Sequence, residues 1–531
     1  MELLSAGINS NLTSGAYLVP ISVAVVVLAY VVVSSVLAHR RLRHFNGPFS
    51  ASFSHYWLAR ASYSGRMGEE WAAADAQYGT GTGLSSTIRI GPNELLTSDP
   101  DVIRRTSAAR SHYTRSAWYK TVGVDPYHDS MFSTLDTAAH DRLKAQTAPG
   151  YAGRDHPRLE AEVDRIVALM VDKIRGKYAV GTKKKERPLL DLASMAQYFT
   201  LDSISKIAFG DEFGLIREER DIHGHMEIVN EIAAPAVTIA VVPVLCAIMG
   251  SKVVLKLIGP KPGDKKGVGR MLKIGRDVVA KRFGPDAKDQ DDMLVTDLPW
   301  RQGSFIRHGL TQPECQTEAI IQILAGSDTT ATAIRATMLY LMSTPRAYHT
   351  LQAEIDHGIR AGKVSSPVTN AEANELPYLQ AVILEGLRIH PPFTGLPFKV
   401  VPPGGDTIDG RPVPAGTLIA PNHVAVGRLR AVFGADADIF RPERWLDAAG
   451  RDREKKAEMR RVAELAFGYG RWGCAGKMIA FLELKKVFVE LLRRFDFQLA
   501  NPARPWKSAN YNLYLQSDMW VSVSLRNVEK L

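Results

Sequence analysis

Two stretches of the chain carry no charge over a length that ordinary amphipathic elements do not reach. Residues 3–38 contain no charged side chain, and 17–38 is a Val/Leu/Ala-rich run of 22 residues. At ~1.5 Å per residue such a run covers a bilayer core of ~30 Å, which predicts a membrane helix. His39-Arg40-Arg41-Leu42-Arg43-His44 follows at once, and only Glu2 precedes the run. Positive charge on that flank orients the remainder toward the cytosol; a cleaved signal peptide has its charge before a shorter apolar core. The expected organisation is a lumenal segment over 1–16, an anchor over 17–38, a basic, proline-containing linker over 39–50, and one folded domain over 51–531. Asn11-Leu12-Thr13 is a glycosylation sequon on the lumenal side.

The second uncharged stretch is 232–251, but Pro235 and Pro243 interrupt any single straight helix there. It is read as a surface segment dipping into the membrane, with a buried helix pair as the alternative. Helical periodicity runs through 159–178, 191–208, 314–343, 346–360 and 477–495. Between Arg388 and Phe440, alternating apolar residues punctuated by Gly-Gly-Asp and Ile-Asp-Gly-Arg predict short strands and hairpins. The fold class is mainly α with a smaller β region.

Composition narrows the picture modestly. At 531 residues and 45% hydrophobic, the chain can bury one large core. The formal charge of +10 is scattered, without the aromatic-interleaved basic stripe that nucleic acid needs. A protein-docking face or an anionic membrane surface suits it better. Cys246, Cys315 and Cys474 form no disulfide framework and suit a reducing compartment.

The chemistry concentrates in Phe467–Gly476, F-G-Y-G-R-W-G-C-A-G. Cys474 lies among Gly468, Gly470, Gly473 and Gly476, where a flat ligand could approach the backbone closely. A cysteine opening a helix has its thiolate favoured by free amides and the helix dipole, which suits a soft or redox-active metal, haem iron being the leading case. A buried structural cysteine is the bland alternative. Upstream, Glu385 and Arg388 share a helix face within apolar A-V-I-L-E-G-L-R-I-H-P-P, so the pair is buried and needs further hydrogen bonds. Arg444, in F-R-P-E-R-W at 440–445, is placed to supply them. A third motif, A-G-S-D-T-T at 325–330, puts Gly326, an acid and two threonines inside a predicted helix over 315–343. Threonine there can bond to a carbonyl one turn earlier and open a local groove in which a hydroxyl and a carboxylate face a ligand.

In this order the motifs resemble those of the cytochromes P-450 over nearly the whole chain after residue 47. The resemblance implies that fold, a membrane anchor ahead of it, Gly47-Pro48 as the hinge of microsomal members, and haem b with Cys474 as axial iron ligand. Phe467, Gly468, Gly476 and Ala325 would line the cofactor. Glu385, Arg388 and Arg444 would form the structural lock behind it, and Asp328 and Thr329 would pass protons to bound oxygen. Three positions depart from the pattern at the haem propionates: Trp472, preceded by Arg471, stands where the family has arginine. Lys144 follows His140 in the H-x-x-x-R element, and Lys399 occupies P-F-K-V-V. Lysine brings charge without a planar fork, and tryptophan brings a donor without charge.

The strand region 400–417 and I-A-F-G-D-E-F-G at 207–214 are similar to filamentous-fungal enzymes of the pisatin demethylase-like, secondary-metabolite group. That implies oxidation of a lipophilic terpenoid, polyketide or alkaloid at the endoplasmic reticulum. The chain has no flavin or nicotinamide fingerprint; Gly79-Thr80-Gly81-Thr82-Gly83 lacks a βαβ frame. Electrons would come from NADPH-cytochrome P-450 reductase, with cytochrome b5 as a second donor. The pocket is expected near Gly326, at 393–398, 118–132 and 510–512. The rival readings are a haem-thiolate isomerase or dehydratase needing no external electrons, and a non-catalytic membrane haem-binding protein. Neither has a use for the Asp328-Thr329 pair.

Overall fold

A computed structural model describes residues 32–79, 86–121, 123, 125–179, 188–283, 293, 304–446 and 453–526, together with 21, 22, 25, 26, 29 and 30. Residues 1–20, including Asn11 and the start of the expected anchor, lie outside the described residues. The described positions from 21 to 40 are helical, with Val25, Tyr30 and Val33 exposed. Among the described residues no single helix is long and apolar enough to cross a membrane.

Helices dominate. In chain order the principal ones are α1 (Tyr56–Tyr63), α2 (Met67–Tyr78), α3 (Thr137–Tyr151), α4 (Leu159–Ile174), α5 (Leu192–Phe209), α6 (His225–Val241), α7 (Pro243–Met249), α8 (Lys252–Ile258), α9 (Gly267–Phe283), α10 (Gln312–Ser343), α11 (Pro345–Arg360), α12 (Pro377–Ile389) and α13 (Lys477–Leu492). The long α10 packs against α5, α9, α11, α12 and α13 and organises the core. It starts at Gln312 because Glu314 Oε2 accepts the Thr311 backbone N–H at 2.8 Å, a capping box that precedes the apolar periodicity. Close approach requires glycine where neighbours cross it. A Cβ on Gly386 of α12 would lie 2.1 Å from Thr337 Oγ1, and one on Gly326 would lie 2.9 Å from Ile204 Cγ1 of α5.

Two expected helices change character before their periodicity ends. The segment starting at 159 finishes as a π turn over Arg175–Ala179. The segment starting at 477 stops at Leu492, and Phe495 already opens a strand.

Strands β1 (Thr87–Arg89), β2 (Glu94–Thr97), β3 (Thr114–Arg115), β4 (Leu190–Asp191), β5 (Lys399–Val400), β6 (Asp406–Ile408), β7 (Arg411–Val413), β8 (Leu418–Pro421), β9 (Phe495–Leu499), β10 (Lys507–Tyr511), β11 (Leu513–Ser517) and β12 (Trp520–Leu525) make four small sheets. The largest has the order β1-β2-β8-β5-β3, in which the strands predicted after Arg388 pair with strands near residues 95 and 115. The others are β10-β11, β4-β12-β9 and the hairpin β6-β7.

The linker read over 39–50 belongs to the folded domain instead. Leu42 and Phe45 are buried against Val401, Ile408, Val413 and Ile419. Buried Arg89 grips the carbonyls of Ala38, His39, Ser52, Gly91 and Pro92. Gly47 packs directly on the Arg89 carbonyl, so it is a docking point rather than a free hinge.

Residues 232–251 divide into a largely buried half and an exposed half. Pro235 is carried inside α6, and Pro243 opens α7 at a bend of 115°. Val237, Ala240 and Val241 of α6 enter an apolar cluster with Trp71, Trp118 and Phe398, so this half is core. No residue of α7 is buried, and Val244 and Ile248 stand 67% and 50% exposed. Val253, Leu257 and Ile258 of α8 extend that apolar surface.

Candidate active site

The loop before α13 is shaped by its glycines. Gly468 and Gly470 have φ of +72° and +56°, and a Cβ on Gly470 would meet the Ser107 carbonyl at 2.5 Å. The turn closes with the Cys474 N–H donating to the Phe467 carbonyl at 2.8 Å. Cys474 is accessible at its surface although protein surrounds it in depth, as befits a side chain lining an interior hollow. The expected lowering of its thiol pKa is reversed in the protein alone. Burial pushes it up, and the amides of Gly476 and Lys477 and the charges of Lys144 and Lys477 offset this only in part.

Basic side chains converge on Trp472. The Arg115 guanidinium lies 4.4 Å and the Lys399 ammonium 4.3 Å from its ring centre, and the His140 ring meets it tilted, with ring centres 4.4 Å apart. Arg115 is fastened by the carbonyls of Met131 and Thr134, and Lys399 by the Tyr119 hydroxyl at 2.8 Å. Burial lowers the pKa of Arg115; it also lowers that of Lys399, where nearby Arg115 adds to the effect, and brings His140 down to about 4. Asp141 lies 3.0 Å from His140 and 3.2 Å from Arg471, and Arg115 also feels the buried Glu318, while Lys399 has no carboxylate within ion-pair distance among the described residues. The buried Trp472 Nε1–H has no hydrogen-bond partner among the described residues. Buried cations short of counter-charge, beside an orphaned donor, call for an anion. The two propionates of haem b fit that deficit, and the accessible Cys474 follows Trp472 by two residues on the same loop.

Lys144 takes a different position from the one expected at a propionate. Its ammonium donates to the carbonyls of Arg471 at 2.6 Å and Gly473 at 3.0 Å, clamping the cysteine loop. Arg115 was not singled out by sequence. Its signal was a lone charge in the otherwise neutral strand-like run T-R-S-A-W, which gains meaning only beside Trp472.

On α10, Thr329 Oγ1 donates to the Ala325 carbonyl at 2.7 Å, the back-bond that opens a groove, and Ala325 is exposed to the hollow. Asp328 corrects the expectation that acid and hydroxyl face a ligand together. One residue along a helix turns the side chain by about 100°, and Asp328 is buried toward α5, with Gln197 Nε2 donating to Oδ1 at 2.9 Å.

Behind the hollow, Glu385 and Arg388 are fully buried and paired at 2.7 Å. Glu385 also accepts from Arg444 Nε at 3.0 Å, the Arg441 N–H at 2.8 Å and Trp445 Nε1 at 2.9 Å. Arg388 donates its remaining protons to the carbonyls of Gly427, Ala437 and Ile439. The segments around Trp118–Phe132 and Phe393–Phe398 meet α6 in one apolar cluster. Asn510 is tied beside them, accepting from the Gly68 N–H at 2.8 Å and Thr394 Oγ1 at 2.7 Å.

The cytochrome P-450 family model matches residues 96–518. The chain is 46% identical over 500 residues to cytochrome P-450 monooxygenase ABA1 of Pyricularia oryzae, covering 94% of this chain and 95% of that one. It is 43% identical over 484 residues to aba1 of Botryotinia fuckeliana, covering 91% and 92%. To abl1 of Leptosphaeria maculans it is 38% identical over 482 residues, covering 90% and 82%. The chain belongs to the cytochrome P-450 family. It is a monooxygenase, and its cofactor is haem b.

Proposed function

We propose that the chain inserts one oxygen atom from O2 into a lipophilic natural product of terpenoid, polyketide or alkaloid type, in fungal secondary metabolism. The carrying observation is the apolar cluster of Trp118, Phe132, Phe393 and Phe398, set in the segments expected to line the substrate pocket and joined there by Val237 and Val241 of α6. Bound haem b supplies the iron at which dioxygen is reduced and split, with electrons from NADPH-cytochrome P-450 reductase and, as a second donor, cytochrome b5. Cys474 would ligate the iron, and Arg115, Lys399 and the Trp472 N–H would hold the propionates. Lys144 keeps the cysteine loop in shape, and the Glu385–Arg388–Arg444 lock fixes the wall behind it. Thr329 presents a hydroxyl in the α10 groove and hands a proton onward, and Asp328 resupplies it. The test of substrate class is to delete the gene in the producing organism, identify the accumulated precursor, and convert it with the purified enzyme, reductase and NADPH. A charged, water-soluble precursor would contradict the reading.

Thr329→Ala is expected to lower product per NADPH severalfold while NADPH use changes little, because protonation is then mistimed. The missing reducing equivalents should appear as hydrogen peroxide in a peroxidase-coupled assay. Unchanged coupling would assign the hand-off to another group.

The enzyme is proposed to sit at the endoplasmic reticulum, anchored by 17–38, with its folded domain in the cytosol. The exposed apolar face of α7 and α8 supports a second, shallower contact with lipid. A protein lacking residues 2–38 should bind haem yet still sediment in part with membranes after a salt wash. Replacing exposed Val244, Ile248 and Leu257 with serine should release it. A truncated protein that is monodisperse in plain buffer before those changes would remove the lipid contact.

A further inference from the structure

Arg115 and Lys399 are cross-strand partners in the register of β3 and β5, so two like charges stand directly opposite each other. Such a pair repels, yet both cations stay turned onto Trp472. Arg115 is held there from a third segment, the buried turn at 130–134. The Ser130 N–H donates to Ser133 Oγ at 2.9 Å, the Ser133 N–H to Ser130 Oγ at 3.1 Å, and Thr134 Oγ1 to the Ser130 carbonyl at 2.8 Å. These local side-chain bonds fix the turn's shape. It offers the Met131 and Thr134 carbonyls to Arg115 Nη1 at 2.7 and 3.1 Å.

The turn is fastened in its own right to α10. Glu318, fully buried on that helix, accepts the Met131 backbone N–H on Oε1. Next to it, Thr317 Oγ1 donates to Asp125 Oδ2 at 3.3 Å, so α10 catches the segment at two points. Met131 therefore joins two distant groups: its N–H is fixed by an acid of the central helix, and its carbonyl fixes a cation of the anion site. Glu318 and Arg115 feel each other's charge, but no ion pair joins them among the described residues. A fully buried carboxyl is a costly way to hold one amide. Burial pushes this one up to about 7, and its Oε2 has no hydrogen-bond partner among the described residues. The bond to Met131 uses Oε1 alone, so it needs an acceptor at that place and not a charge.

We infer that Glu318 is a positioning residue for haem: through Met131 it keeps Arg115 turned onto Trp472, where the guanidinium meets a propionate. The inference rests on the reading of Arg115 as a propionate partner. Without the acceptor at 318 the turn loses its anchor on α10, and the repulsion from Lys399 acts on a cation held less firmly.

The experiment reads haem retention and reduction rather than turnover. Full-length, haem-loaded protein in detergent is mixed with excess apomyoglobin, and haem transfer is followed by absorbance. Glu318→Leu should lose haem about tenfold faster than the parent, the effect of leaving one buried donor unmet. Glu318→Gln keeps an acceptor oxygen at the place of Oε1 and should lose haem at close to the parent rate. Both substitutions remove the carboxylate, so the difference between them cannot come from its charge. At one applied potential Glu318→Leu should also be less reduced than Glu318→Gln, because a guanidinium drawn off the propionates no longer favours the added electron. Arg115→Met should speed haem loss at least as much as Glu318→Leu, and combining the two should add nothing further.

If Arg115→Met holds haem like the parent, the propionate reading fails and the inference falls with it. If Arg115→Met loses haem quickly while Glu318→Leu does not, the inference alone is overturned. Equal loss from Glu318→Gln and Glu318→Leu, or effects of Glu318→Leu and Arg115→Met that add in full, would make the acid a packing residue and also overturn it. Should Glu318→Leu yield no haem-loaded chain, Glu318→Asp, a methylene too short for Met131, goes through the same haem-loss cycle with the same outcomes expected.

Discussion

Replacing Cys474 with serine or alanine is expected to abolish both turnover and the thiolate-type carbon monoxide band of the reduced protein. The site supplies the reason. Burial raises the thiol pKa, and only two backbone amides and two lysines work against it. A serine hydroxyl is far less acidic than a thiol and would stay protonated in that setting, so it offers iron a weak, neutral donor. Alanine offers none. The loop itself should persist, because its closing bond runs from the backbone N–H of residue 474 to the Phe467 carbonyl and needs no side chain. The serine protein should therefore fold, with a circular dichroism spectrum like the parent's. A serine or alanine variant that keeps the thiolate band would remove Cys474 as the ligand.

Glu385→Gln should be nearly as damaging by another route. In the parent, every oxygen of Glu385 and every N–H of Arg388 turned into the lock has a partner, so the buried charges are tolerated. Removing the carboxylate charge leaves Arg388 without a carboxylate partner and Arg444 with Asp436 alone, a loss of ~3–5 kcal/mol for a broken buried pair. Set against a total stability of ~5–15 kcal/mol, that consumes much of the margin. The expected result is little haem-loaded protein per cell and a lower thermal midpoint in what is recovered. Carbon monoxide absorbance per milligram of total chain reads the first effect, and calorimetry the second. Arg388→Lys should behave similarly, since an ammonium cannot reach Glu385 and three carbonyls together. Parental yields of either variant would show that the lock does not hold the haem wall.

The amino-acid sequence by itself determined the features that depend on neighbours a few residues apart. The bounds of α10 and α11, the glycine loop around Cys474, and the apolar setting of Glu385 and Arg388 all follow from local periodicity, capping and turn chemistry. Thr329 bonding back to Ala325 is of the same kind. What only the tertiary structure decided depends on segments far apart in the chain. Arg115 is unremarkable where it stands in sequence, and His140, Lys399 and Trp472 are marked there only by the family resemblance; the four become an anion site when their separate segments meet at one indole. The strand partners of β5 and β8 lie near residues 95 and 115, beyond any local signal. The half-burial of 232–251 was also undecided, because one apolar run serves equally for core and for lipid until α1, the helical turn Trp118–Thr121 and α9 are placed. Asp328 shows the limit most sharply. Its helix was legible and so was its chemistry. The direction in which it points was set by Gln197 and His225, partners that no spacing within α10 could name.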